Sequence, residues 1–297
     1  MVSAALPVGL WGRARAYVEL TKPRIIELLL ITTVPAMVVA YQGWPSSWLV
    51  VATVVGGTLA AGGANAINMV IDRDIDKVMS RTQGRPLARG ALEPRAALVF
   101  AITLEIVAFA LLWATSNLLA AALALSATLF YVFVYSLWLK RTTRHNIVIG
   151  GAAGSVPALV GWAAVTGSLG WAPWLMFALV FLWTPPHFWA LAIRYRDDYA
   201  AVDVPMLPVV SELDATARQM VIYTAAVWVT ALILWPVAHL GWIYGSVAVV
   251  SGAFFLGGAL DVRRNPTPQR AMKLFGASIT YLTAVFVAMA VDRLVFG

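Results

Sequence analysis

A regular ladder of polar side chains follows the second long apolar run of the chain. Asn68, Asp72 and Asp76 are spaced four residues apart, and on a helix this spacing places them on one face, one turn above the next. Carboxylate and carboxamide oxygens are suitable ligands for a divalent cation such as Mg²⁺. These residues could instead be solvated loop charges, but acidic residues do little to set membrane topology, so a regular face of them favours a function.

Basic residues follow the ladder at a four-residue step of their own. Arg81, Arg85 and Arg89 carry guanidinium groups, which donate bidentate, charge-assisted hydrogen bonds to phosphate. For any single arginine, a solvated positive loop explains the charge equally well. Taken together, acids that can hold a cation and arginines that can hold phosphate suggest a Mg²⁺-bridged pyrophosphate at the end of a membrane segment.

The composition indicates a membrane protein. Of the 297 residues, 61% are hydrophobic and only 12% are charged, whereas about a quarter of the residues of a soluble domain are charged. Successive runs of about 20 apolar residues match a hydrocarbon core about 30 Å thick. We therefore predict an all-α, polytopic membrane helical bundle that forms one domain, 1–297. The absence of cysteine excludes disulfides, thiolate metal sites and a cysteine nucleophile.

Nine transmembrane helices are predicted, with the N-terminus cytoplasmic and the C-terminus outside. In this topology 20 of the 21 Lys and Arg residues fall in cytoplasmic segments, as the positive-inside rule requires. The net charge of +7 is thereby explained without a nucleic-acid partner. We expect no cleavable signal peptide, and a multi-pass location in the plasma (inner) membrane of a prokaryote. The predicted spans are residues 25–43, 48–71, 96–114, 118–138, 146–166, 172–193, 217–237, 242–260 and 271–291.

The cytoplasmic segments include two long polar loops besides the N-terminal segment 1–24. Loops 72–95 and 194–216 each follow an even-numbered span, and the second contains Asp197, Asp198 and Asp203. Two acid-rich loops on one membrane face are expected to form two halves of one active site facing the cytoplasm.

Five sequence blocks resemble the UbiA-type intramembrane prenyltransferases and together cover most of the chain. The first aspartate-rich motif is typical of that superfamily, whereas the PPHFWAL and NIVIGGAAG segments resemble its haem-modifying branch rather than its quinone-pathway members. Two positions depart from the family pattern, with Asp203 in place of Gly and Ala158 in place of Pro. The blocks are LTKPR (20–24), NMVIDRDIDKVMSRTQGRPL (68–87), LKRTTRHNIVIGGAAGSVPALVGW (139–162), WTPPHFWAL (183–191) and DDYAAVDVPMLPV (197–209).

The resemblance implies a Mg²⁺-dependent reaction at the membrane. A farnesyl group would pass from farnesyl pyrophosphate to a vinyl group of haem B, with addition of water, giving haem O for haem-copper terminal oxidases. Haem B is then a substrate rather than a cofactor, and both substrates are largely apolar, which suits a bundle in contact with membrane lipid. Among protein partners, the resemblance points to a haem A synthase or to oxidase assembly proteins.

Positions within the spans and the resemblance together suggest roles for individual residues. His187, which follows two prolines inside the sixth span, would ligate haem iron or bond a propionate, or else serve as a structural histidine. Glu105, near the middle of the third span, is expected to be protonated, paired or lining a cavity. The implied catalytic residues are Asn68, Asp72, Asp76 and Arg85; the implied metal ligands are Asn68, Asp72, Asp76, Asp197 and Asp198; the implied substrate-binding residues are Lys22, Arg24, Arg81, Lys140, Arg141, His145, Asn146, His187 and Tyr195.

Two alternative functions remain open. Another UbiA-type prenyltransferase would act on an aromatic or quinone precursor, which the PPHFWAL block and His187 disfavour. A membrane transporter could use Glu27, Glu105 and His187 as a proton path. Transporters usually place polar groups near the bilayer midplane, within related repeats, whereas the acids here cluster on one membrane face.

Overall fold

The computed structural model describes the backbone of residues 9–297 and the side chains of residues 9–23 and 31–297. Ten long helices follow one another, and residues 9–297 contain no strand. Proline occupies the first helical position of three of them, where its fixed φ suits a helix and its missing N–H costs no hydrogen bond. The helices are α1 Leu10–Leu20, α2 Pro23–Tyr41, α3 Ser47–Ile71, α4 Pro94–Thr115, α5 Leu118–Thr142, α6 Asn146–Thr166, α7 Trp171–Arg194, α8 Leu213–Val237, α9 Trp242–Arg264 and α10 Pro268–Phe296.

The helices confirm the predicted all-α membrane bundle. Helices α3 to α10 are eight helices that are long and apolar enough to cross a membrane, and each coincides with a predicted span to within five residues at either end. The remaining predicted span, 25–43, coincides with α2, which has 19 residues and in which the side chains of residues 24–30 are not described. The count of nine spans and the sidedness of the termini therefore stay predictions.

The bundle brings two polar loops to the same end. Helix α3 packs along α4, α6 packs along α2 and α7, and α7 also contacts α8 and α10. Loop 72–93 leaves α3 at the end where loop 195–212 leaves α7. A buried cluster that includes Ile75, Met79, Tyr199 and Met206 fixes the two loops against each other.

Helix α5 changes its winding next to these loops. Phe130–Leu139 forms a π-helical stretch, a rare winding that is frequent at functional sites. In this stretch Ser136 Oγ donates to the carbonyl of Tyr131 at 2.8 Å. Gly150 of α6 lies so close to the Tyr135 ring that a Cβ there would overlap it. The close approach of α6 therefore depends on glycine at this position.

Candidate active site

The predicted polar ladder forms a buried hydrogen-bonded chain at the end of α3. The backbone N–H of Asp72 bonds the carbonyl of Asn68, and that of Asp76 bonds the carbonyl of Asp72, both at 2.9 Å. The helical four-residue repeat thus continues through the ladder. All three side chains are buried, Asp72 completely. A buried carboxylate needs a counter-charge or a cation.

Asp72 is enclosed by an amide group of its own helix α3 and by cationic groups of α5. Its Oδ2 accepts hydrogen bonds from Lys140 Nζ and, at 2.7 Å, from Asn68 Nδ2. Its Oδ1 has no hydrogen-bond donor in the part of the chain that the structure describes, and Arg141 Nη2 lies 3.8 Å from it. One buried carboxylate oxygen is therefore available to a further ligand.

Asn68 links Asp72 to the segment between α1 and α2. Lys22 Nζ donates to Asn68 Oδ1 at 2.9 Å, and Asn68 Nδ2 also donates to Ser136 Oγ at 3.1 Å. The pKa of Lys22 is lowered from 10.5 to about 7, because burial disfavours the charged ammonium and the nearby Arg85 and Lys140 repel it. An anion bound beside Lys22 would favour its protonated form.

Asp76 is paired with one of the predicted arginines. Arg85 Nη1 lies 2.8 Å from both carboxylate oxygens of Asp76. The three arginines do not form a helical stripe, because residues 77–92 fold as successive turns. Arg89 instead bonds Glu19 of α1 at 2.7 Å. The four-residue step among the arginines therefore does not place them on one face.

Arg81 faces the second loop. Its guanidinium donates to the Tyr199 hydroxyl at 3.4 Å and lies 5.7 Å from the centre of the Tyr195 ring. Asp198 accepts from Ser80 Oγ at 2.9 and 2.7 Å and from the Arg81 backbone N–H at 3.2 Å. The hydrogen bond from the Ser80 hydroxyl, together with the backbone N–H groups of Ser80 and Arg81, lowers the pKa of Asp198. The structure thus brings Asp198 to the first loop, while Asp197 is exposed.

A pocket of about 570 Å³ lies beside this cluster, between α1 and loop 72–93. Four basic residues line it: Arg15, Lys22, Arg81 and Arg85. Among the described residues, Glu19 is the one acidic residue in its lining. This excess of positive charge suits an anion that carries several negative charges. Arg24 was also predicted to bind substrate, but its side chain lies outside the described residues.

The remaining predicted site residues lie around α5 and α6. Arg141 pairs with Asp74, both hydrogen bonds measuring 2.7 Å, and this guanidinium lowers the pKa of Asp74 to about 2. Asn146 is fully buried, donates to the Lys140 carbonyl at 3.4 Å, and has no donor to its Oδ1 among the described residues. His145 is exposed at the start of α6.

The structure does not bring His187 into the ladder cluster. Its ring is stacked between Trp183 and Phe275, with ring centres 4.2 and 4.4 Å away, and its Nδ1 lies 2.7 Å from Ser278 Oγ. These contacts belong to the interface of α7 and α10. Its predicted haem contact stays a prediction.

Two other expectations from the sequence concern Glu105 and Asp203. Glu105 accepts a hydrogen bond from Thr128 Oγ1 at 3.1 Å, and whether it is protonated, paired or lining a cavity stays a prediction. Asp203, where the family pattern has glycine, has φ +53°, a left-handed conformation that glycine adopts without steric cost. The left-handed backbone conformation at position 203 therefore explains why the family pattern has glycine there.

Sequence reasoning missed several residues of the site. Ser136 binds Asn68, Ser80 binds Asp198, and Glu19 binds Arg89, yet none of these belongs to a spaced motif. Ser80 lies inside the block 68–87 and Glu19 lies near the end of α1, whereas no sequence signal marked Ser136.

Comparison with known proteins identifies the family of the chain. Residues 29–288 match the UbiA prenyltransferase family. A protoheme IX farnesyltransferase of Clavibacter michiganensis is 52% identical over 97% of this chain and 95% of its own length. A protoheme IX farnesyltransferase of Frankia alni is 54% identical over 96% of this chain and 99% of its own.

Solved structures share the fold at much lower identity. A UbiA homolog from Aeropyrum pernix K1 has a TM-score of 0.72 at 21% identity, covering 91% of this chain and 98% of that one. A UbiA homolog from Archaeoglobus fulgidus bound to GPP and Mg²⁺ has a TM-score of 0.68 at 16% identity, covering 94% and 99%. At full length and more than 50% identity to its relatives, the chain belongs to the UbiA prenyltransferase family, among the protoheme IX farnesyltransferases.

Proposed function

We infer that this chain transfers the farnesyl group of farnesyl diphosphate to a vinyl group of haem B and so makes haem O. The bond between the farnesyl C1 and the diphosphate oxygen breaks, and a carbon–carbon bond forms to the terminal vinyl carbon. Water supplies a hydroxyl to the inner vinyl carbon and releases a proton. The observation that carries this function is the cation-lined pocket beside the buried Asn68–Asp72 pair, in a chain more than 50% identical to proteins of that activity.

The pocket supports the binding of the diphosphate end. Lys22, Arg81 and Arg85 converge on it from two segments, and their charges oppose the negative charge that grows on the leaving diphosphate. Asp76 holds the Arg85 guanidinium at 2.8 Å, which fixes one donor before the ligand arrives. Such prior orientation is how a site stabilises a developing charge without reorganising.

The donor set fits Mg²⁺ at one position. Asp72 Oδ1 is a buried carboxylate oxygen with no donor among the described residues, and Asn68 adds a neutral oxygen; Mg²⁺ is commonly held by one or two carboxylates together with substrate phosphates. Bound there, the ion would act as a Lewis acid toward the diphosphate oxygens. Lys140 and Lys22, which donate hydrogen bonds to Asp72 and Asn68 here, would then be free to contact the diphosphate.

The acidic groups of the second loop fit a metal less well in this arrangement. The Asp198 oxygens already accept from Ser80 and from the Arg81 backbone. We propose that Asp198 holds the two loops together, and the implied roles of Asp197 and Asp198 as metal ligands stay predictions. The cytoplasmic orientation of the site remains a proposal supported by the distribution of Lys and Arg.

A product mass tests the function directly. Purified protein in detergent is incubated with haem B, farnesyl diphosphate and Mg²⁺, and the extracted pigment is analysed by liquid chromatography and mass spectrometry. We expect haem with an added hydroxyfarnesyl group, lost in Asp72→Asn and retained in Asp214→Asn, an exposed acid on α8. Folded protein that modifies an aromatic or quinone precursor instead of haem would overturn the assignment of the acceptor.

A further inference from the structure

A second concave feature lies on the other side of α1. This groove, of about 760 Å³, runs between α1 and the first turns of α4 and includes Tyr17, Val18, Arg95, Val99 and Phe100. Val18 also lines the cationic pocket, so α1 separates the two. The groove contributes nothing to the ladder cluster, and none of its residues was predicted to act.

The groove is apolar along its length and positive at one end. The rings of Tyr17 and Phe100 pack 4.9 Å apart and close one wall. Arg95 is the second residue of α4, at the end of the bundle that carries the polar loops, and Val99 lies about 6 Å further along the helix axis at 1.5 Å per residue. The Arg95 guanidinium is exposed and has no hydrogen bond or ion pair with any described residue.

Helix α1 has the character of a helix at a membrane surface. Its first residues, Leu10 and Trp11, are 87% and 90% exposed, while Arg13 and Arg15 lie on the same short helix. Large apolar side chains that are exposed together mark a contact with lipid or protein. With basic residues beside them they are typical of helices that lie in the bilayer interface.

We propose that this groove binds an anionic phospholipid from the membrane, with an acyl chain along Tyr17, Val99 and Phe100 and the headgroup phosphate on Arg95. The number of basic side chains distinguishes the groove from the pocket on the other side of α1. The groove offers one unpaired guanidinium, which matches one phosphate, whereas the pocket across α1 gathers four basic side chains and matches a diphosphate. A guanidinium also gives phosphate the bidentate geometry that an ammonium does not.

A site-specific quenching experiment tests this proposal without using enzymatic activity. Because the chain contains no cysteine, Val99→Cys provides a single labelling site for a small fluorophore in the groove. Phe254→Cys, on the exposed face of α9, reports ordinary lipid contact. Each labelled protein is reconstituted in phosphatidylcholine that contains brominated phosphatidylglycerol or, separately, brominated phosphatidylcholine as the quencher.

We expect phosphatidylglycerol to quench the groove label about fivefold more strongly than phosphatidylcholine, as attraction of one basic residue to an anionic headgroup implies. At Phe254→Cys the two quenchers should act equally. Adding Arg95→Gln should remove the preference at the groove, whereas adding Arg264→Gln should leave it, since Arg264 is an exposed basic residue elsewhere on α9.

Three outcomes would overturn the proposal. The first is equal quenching by the two lipids at the groove label. The second is an equal loss of preference in the Arg95→Gln and Arg264→Gln proteins, which would indicate net charge alone. The third is displacement of the quencher from the groove by farnesyl diphosphate, which would assign the groove to the prenyl substrate.

Discussion

Asp72→Asn and Lys140→Met, made separately and together, distinguish what their ion pair does for folding from what it does for catalysis. The Asp72 side chain is fully buried, the Lys140 side chain is 15% exposed, and the two are directly hydrogen-bonded. Removing one partner of a buried pair leaves an uncompensated charge and costs about 3–5 kcal/mol, whereas replacing both partners by neutral groups is often nearly neutral.

The structure narrows the expected magnitudes. Because Lys140 keeps some exposure, we expect each single variant to lose about 3 kcal/mol of unfolding free energy, the lower end of that range. Asp72→Asn should be the milder of the two, since its amide oxygen can still accept from Lys140. The double variant should return to within about 1 kcal/mol of the wild type.

Activity should not return with stability. Asp72 Oδ1 is the free oxygen of the proposed metal site, so both Asp72→Asn proteins should lose farnesyl transfer by about 100-fold or more, as loss of one preorganised electrostatic group does elsewhere. Stability is measured as reversible unfolding in mixed detergent micelles, and activity as haem O formed per folded protein. An active double variant, or single variants as stable as the wild type, would refute the reasoning.

Three further predictions concern other contacts. Ser80→Ala removes the donor to Asp198, and the KM for farnesyl diphosphate should rise about fivefold, since an exposed hydrogen bond to a charged group contributes about 1 kcal/mol. Asp292→Ala removes the acceptors of two backbone N–H groups at the start of α9, those of Gly241 and Tyr244, now bonded at 2.5 and 3.0 Å. It should cost about 2–4 kcal/mol of stability with unchanged activity per folded protein. Asp74→Asn should lower stability at pH 7 by only about 0.2–1 kcal/mol, because Asp74 and Arg141 are exposed; the depressed pKa of Asp74 places this difference above about pH 4 and removes it as the pH falls toward 2.

Each of these has a control variant, a contrary outcome, or both. For Ser80→Ala, Ser80→Thr restores the hydroxyl and should restore the KM; an unchanged KM in Ser80→Ala would show that the loops do not need this contact. For Asp292→Ala, Asp292→Asn keeps one acceptor and should fall between Ala and wild type. For Asp74→Asn, a loss of stability that persists at acid pH would assign the effect to something other than the carboxylate charge.

The helices and the ladder could be predicted from the sequence because their signals are local. Apolar runs of fixed length predicted α3 to α10 to within a few residues, and the step of four predicted that Asn68, Asp72 and Asp76 share a face, which the continued backbone hydrogen bonds explain. Both inferences use only neighbours within one or two helical turns.

The partners of these residues could not be predicted, because they come from distant parts of the chain. Lys140 and Ser136 reach the ladder from a helix about 70 residues away, and Arg85 turns back to Asp76 only because residues 77–92 fold as turns rather than as a helix. For His187 the sequence suggested a contact with substrate, because a histidine within a membrane helix is unusual. In the structure its ring packs against the aromatic rings of Trp183 and Phe275.

The π-helical stretch makes the spacing of α5 as important as its residue types. Ser136 and Lys140 lie within and just after Phe130–Leu139, and both contact the end of α3. In an α-helix each residue advances the direction of the side chains by about 100°. Rewinding the same ten residues as an α-helix would turn Lys140 away from Asp72 without altering any residue that touches the site. The tolerance of this helix to insertions and deletions should therefore be far lower than its tolerance to apolar substitutions.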